Sequence, residues 1–155
     1  MDPDRLNRWL TLGANIGVLI GIALLMVELN QNRDMMRAQT RHDLAMGIVE
    51  LQHSAAESKE LAEIMRKGAV GEELSPTEDM QNRLRLNALL RYWEDVHYQF
   101  RLGLYDETEY SRHREAIRRS FQENQSLVDH WCRTRPGYSA DFASEMATLL
   151  RVDSC

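Results

Sequence analysis

The sequence predicts an all-α chain, with one N-terminal transmembrane helix continuing into a small helical bundle. Three observations predict it. Trp9 to Val27 form an apolar run without a charge. Between Ala23 and Lys67 there is no Pro and only one Gly, Gly47, so nothing obliges a helix to stop there. Beyond that stretch, helix-start signals alternate with apolar residues at three- and four-residue spacing, and no segment alternates with the period of a strand.

The first element is the span. The nineteen residues of Trp9–Val27 cover roughly 28 Å as a helix, close to the hydrocarbon thickness of a bilayer. Ten are Leu, Ile or Val, contributing roughly 3 to 6 kcal/mol toward insertion. Trp9 stands where an interfacial anchor belongs. The run is too long for a cleaved leader, and the Glu28-Leu-Asn-Gln-Asn-Arg33 that follows offers no small-residue cleavage site. Both faces are apolar, unlike a helix that covers one side of a small soluble core. The predicted organisation is residues 1–32 as flank and span, and residues 33–155 as a helical soluble domain.

Within the span, Gly13, Gly17 and Gly21 recur every four residues and share one face. Such a face lets a second backbone approach closely and gain van der Waals contact that lipid does not match. It predicts transmembrane packing, most simply into a homo-oligomer, or against another membrane protein. Asn15 points roughly the opposite way, and a polar amide at that depth seeks a partner or water.

The helix is expected to run on past the span through Lys67, either straight or with a bend. Leu44, Ile48, Leu51, Ala55, Ser58, Ala62 and Met65 keep a four-three spacing through it. Gly68-Ala-Val-Gly71 is expected to end it. Ser75-Pro-Thr-Glu78 then reads as a capping box with Pro at the first helical position. The helix it opens carries Leu86, Leu89, Leu90, Trp93, Val96, His97, Phe100 and Leu104 on one face, and Gly103 is placed to close it. Asp106-Glu-Thr-Glu109 starts a helix burying Tyr110, Ile117 and Phe121. A short helix with Leu127, Val128 and Trp131 ends at Arg135-Pro-Gly137. The last begins near Ser139 and buries Phe142, Met146, Leu149 and Leu150.

Composition narrows the function classes. The formal net charge is -5, which gives no basic footprint for nucleic acid. Cys132 and Cys155 are too few for a disulfide framework or a zinc knuckle and are expected to be unpaired. Cys155 lacks the three following residues of a prenylation box. Arg5 and Arg8 before the span stand against Arg33, Arg37 and Arg41 after it, while Asp2 and Asp4 count little. That balance, with reduced cysteines, places the soluble domain on the cytoplasmic side of an inner membrane.

The candidates for chemistry are weak. Glu50 and His53, and Glu94 and His97, repeat the Glu-x-x-His spacing that presents two metal ligands on one helix turn. With 14 Glu and 5 His in the chain, such pairs arise readily by chance. Glu50 and His53 also point away from the Leu44–Ile48–Leu51–Ala55 seam. Arg112, His113, Arg114, Arg118 and Arg119 form a basic stretch, expected to be a solvated face paired with nearby carboxylates rather than a headgroup site. There is no nucleophile elbow and no phosphate-binding glycine loop. The site residues are therefore Gly13, Gly17 and Gly21 for packing, with Asn15 and Glu28 as a polar membrane face. No cofactor, metal or catalytic residue is predicted.

The anchor leading into Glu28-Leu-Asn-Gln-Asn32-Arg33, the helix Trp93-Glu-Asp-Val-His-Tyr-Gln-Phe-Arg-Leu-Gly103, and the Trp131 helix resemble a widespread group of uncharacterised bacterial single-pass membrane proteins. Asn30 stands where their pattern usually has Arg. The resemblance implies the architecture and a bacterial membrane setting, and it brings no catalytic residue. The function expected is a non-enzymatic, self-associating scaffold or interaction protein. The alternatives are an oligomeric pore lined by Asn15 and Glu28, and a Glu-x-x-His di-metal protein.

Overall fold

The structure, a computed structural model, describes residues 3–150. Asp2 and Cys155 lie outside the described residues. The chain is all-α: α1 (Pro3–Glu57), α2 (Lys59–Val70), α3 (Pro76–Arg101), α4 (Glu107–Glu123), α5 (Gln125–Thr134), a 3-10 turn (Arg135–Gly137) and α6 (Ala140–Leu150). It divides into two compact units, residues 1–39 and residues 40–155.

The first unit is helical throughout its described residues. None of its most apolar window is buried. Trp9 is 70% exposed and Leu29 is 67% exposed. A soluble core helix covers most of such a surface, because each buried aliphatic side chain stabilises by about 1.5–3 kcal/mol.

In the second unit, α1 ends at Glu57 and does not run on to Lys67. The helix predicted through that point is thus corrected. Ser58 adopts an extended backbone, φ -111° and ψ 107°, and its side chain accepts the Leu61 N–H, starting α2. An N-cap hydroxyl replaces one of the hydrogen bonds that a continuous helix would supply. The break also rephases the apolar seam. Leu44 is buried and Ile48, Leu51 and Ala55 are half-buried, but beyond Ser58 the buried positions become Ile64 and Gly68, while Ala62 is exposed.

The remaining boundaries follow their caps. Gly71 ends α2 at φ 73°, in the left-handed region open to glycine. Ser75 and Glu78 close a reciprocal capping box at the start of α3. Gly103, at φ 71°, follows the end of α3. Asp106 accepts the Thr108 and Glu109 N–H groups to start α4. Asn124 ends α4 and accepts the Leu127 N–H to start α5.

Two patches make the core. The larger joins Leu86, Leu90 and Trp93 of α3 to Ile117 and Phe121 of α4, Leu127 and Trp131 of α5, Tyr138, and Phe142 and Met146 of α6. The smaller joins Leu44 of α1 to Val96 and Tyr110, with Phe100 stacked on Tyr110 at 3.9 Å between ring centroids. The turn before α6 is fixed to α3. Tyr138 donates its hydroxyl proton to Asn87 at 3.0 Å, and Arg91 lies over the Tyr138 ring while donating to the Gly137 carbonyl at 2.9 Å.

Candidate functional site

The candidate membrane face belongs to the first unit, whose helix is long and apolar enough to cross a membrane. A Cβ built on Gly13, Gly17 or Gly21 meets no atom within 4 Å. The three positions therefore form an open, smooth surface on a helix, which is the shape that close helix packing requires. At about 100° per residue, Glu28 lies within about 20° of both Gly17 and Gly21, and so continues their stripe. Asn15 lies about 160° from Gly17. It shares its side of the helix with Thr11, whose hydroxyl donates to the Asn7 carbonyl at 2.9 Å, and with Asn7, Asp4 and Arg8. These polar residues of the apolar helix thus gather at its N-terminal end.

The Glu-x-x-His pairs do not converge. His53 meets Glu57 at 3.2 Å rather than Glu50, and both groups are solvated. Glu94 points to Arg91 at 2.7 Å and accepts the Ser139 N–H at 2.7 Å, so it holds the start of α6. His97 turns inward. Among the described residues no three His, Cys, Asp or Glu side chains gather closely enough to hold a metal ion.

What His97 joins instead is a buried polar chain that spacing alone did not reveal. Its Nδ1 and the Tyr110 hydroxyl are 2.8 Å apart, and the Glu145 carboxylate lies beside Tyr110. His97 Nε2 is buried and without a hydrogen-bond partner. Burial lowers the pKa of His97, and the neighbouring Glu145 offsets part of this. Burial, with Glu145 beside it, raises the pKa of Tyr110. Arg114 Nε lies 2.7 Å from Glu145 but off the line of a good hydrogen bond, so that attraction is mainly charge on charge. The chain ties α3, α4 and α6 together.

The basic stretch divides. Arg118 forms an exposed pair with Glu115, whereas Arg114 reaches Glu145 on α6. His113 is half-buried rather than solvated: it packs edge-on against Tyr92, and burial pushes its pKa down to about 4. Cys132 is disulfide-bonded, which corrects the expectation of unpaired cysteines. Placement on the cytoplasmic side thereby loses the support it drew from them.

Compared with known proteins, the chain matches no family model, no curated protein and no solved structure. The likeness drawn from the anchor and Trp93 motifs therefore stands on those residues alone.

Proposed function

We propose that the protein is a membrane-anchored scaffold. Residues 9–27 cross the bilayer, the glycine face packs against a second copy, and the helical bundle is held at the membrane to engage a partner. The observation that supports this reading is the unburied apolar window of α1 with three open glycines in register. An apolar surface of that extent is stable in lipid and unstable in water. Close backbone approach is the gain that lipid cannot supply.

Geometry favours the scaffold over the pore. Asn15 and Glu28 stand about 140° apart around a straight helix, too far to line one lumen. Glu28 falls on the glycine stripe, so a parallel pair of helices brings two like charges together at its end.

The test is the mass of the full chain in nanodiscs. The wild type is expected as a dimer or larger assembly that remains with membranes after an alkaline wash. Gly17→Leu is expected to weaken association about tenfold, equivalent to ~1.4 kcal/mol. Glu28→Gln is expected to strengthen it, because the facing charges are removed. A monomeric wild type, or an assembly indifferent to Gly17→Leu, would falsify the self-association reading.

A further inference from the structure

The bundle contains a cavity that the anchoring role does not use. It has a volume of about 750 Å³, within the range of about 300–1,000 Å³ typical of pockets that enclose a small ligand. Its apolar wall comes from Phe121 on α4, Val128 and Trp131 on α5, and Met146, Leu149 and Leu150 on α6. Three of these, Phe121, Trp131 and Met146, belong to the main core, so the wall is part of the fold and not a loop surface.

The polar part of the lining has one sign. Among the described residues, Arg114, Arg118 and Arg135 line the cavity, and no Asp or Glu does. Their charges are not equally engaged. Arg114 is held by Glu145, and Arg118 is paired with Glu115 on the same exposed helix face. Arg135, in the 3-10 turn after α5, makes no ion pair among the described residues. An exposed pair such as Arg118–Glu115 is weak, so its guanidinium is available to a stronger acceptor. Two planar cations lining the same cavity as an apolar wall match an anion that carries a hydrophobic chain. The anion accepts charge-assisted hydrogen bonds, and the chain displaces water from Trp131 and Met146.

We propose that this cavity binds a single-chain acyl anion, with Arg118 and Arg135 holding the head and α5 and α6 enclosing the chain. The inference rests on the cavity alone and is independent of self-association through the glycines. The anion has two possible sources, a free fatty acid and a single-chain phospholipid, which share this chemistry.

The experiment is photocrosslinking of the full chain in phosphatidylcholine nanodiscs with a diazirine-bearing palmitate, mapped by peptide mass spectrometry. Label is expected on the peptides that carry Trp131 and Met146. Unlabelled palmitate or lysophosphatidate is expected to compete, and whichever competes at lower concentration identifies the source. Hexadecanol, the same chain without the anion, is expected not to compete. Arg135→Gln, an exposed substitution that leaves the core untouched, is expected to reduce labelling about tenfold, the scale of a lost charge-assisted hydrogen bond. Arg118→Gln checks the second cation in the same way. The proposal is overturned if label is confined to α1, if hexadecanol competes as well as palmitate, or if neither arginine variant alters labelling while both keep wild-type helicity. Nanodisc mass is read in parallel, so loss of the oligomer and loss of labelling are scored separately.

Discussion

At the scale of single residues, Gly68 is the position where one atom decides most. It lies inside α2, buried, and its carbonyl accepts the Ser126 hydroxyl proton at 2.7 Å. A Cβ there would come 2.8 Å from both Asn82 Nδ2 and Ser126 Oγ. Both atoms end short side chains, and Asn82 is itself buried, so neither can move away without losing its place. Alanine in mid-helix gains about 1 kcal/mol over glycine, whereas overpacking a closed site costs about 1–3 kcal/mol. Gly68→Ala is therefore expected to be destabilising by up to about 2 kcal/mol, lowering the thermal midpoint of the bundle by up to several degrees. Circular dichroism melting of the full chain in nanodiscs reads this directly. A midpoint raised by the substitution would show that α2 and α5 can separate at this point.

At the scale of elements, the helix starts were legible because each carries its own chemistry. Ser75 and Glu78 satisfy each other's backbone donors, with the Ser75 N–H donating to Glu78 at 2.8 Å. Lys67 meets the same Glu78 carboxylate at 2.8 Å and, with those hydrogen bonds, holds its pKa down to about 2. The capping box thus also fastens the end of α2 to the start of α3. Ser75→Ala is expected to cost about 1 kcal/mol, typical for loss of an N-cap. Glu78→Ala, which removes both the box and the Lys67 pair, is expected to cost more, and the two are compared by melting. The break at Ser58 was not legible, because Ser58 keeps the four-three spacing of the Leu44–Met65 seam and so reads as one small residue of a continuous helix. Its capping role depends on Ile64 and Gly68 finding the α3 and α5 faces, a tertiary choice that overrides local propensity. The His97–Tyr110–Glu145 chain was hidden for a similar reason. Its members lie on three helices, and spacing within one helix suggested Glu94 as the partner of His97, whereas Glu94 serves the start of α6. The shared face of Gly13, Gly17 and Gly21, by contrast, needs no tertiary contact, because a repeat of four residues places its members on one face by helix geometry alone.

At the scale of the whole bundle, three histidines from different helices set how the protein responds to acid. His97, His113 and His130 all have pKa values lowered mainly by burial. Nearby charges modify this: Glu145 and Asp141 oppose Arg101 and Arg114 around His97, and Asp79 opposes Arg83 and Arg133 around His130. A depressed histidine pKa means that the unfolded chain takes up protons first. Stability is therefore complete above the ordinary value near 6.5 and falls as pH drops toward the folded value, which is about 4 for His113. For His113 alone the loss is about 2–3 kcal/mol after allowance for its partial exposure. Glu78, held down to about 2, acts in a lower window: its contribution is lost only as pH falls below the ordinary carboxylate value of 4.5. The first fall in stability, between about pH 6.5 and about pH 4.5, is thus assigned to imidazoles and not to carboxylates. His113→Phe keeps an aromatic ring against Tyr92 and removes one of these protonation sites. Melting midpoints measured from about pH 7.5 to about pH 4.5 should fall steeply for the wild type and less steeply for the variant, with similar values at the neutral end. Equal slopes would mean that His113 is protonated as readily in the fold as in water, and that its packing on Tyr92 excludes less solvent than the geometry implies.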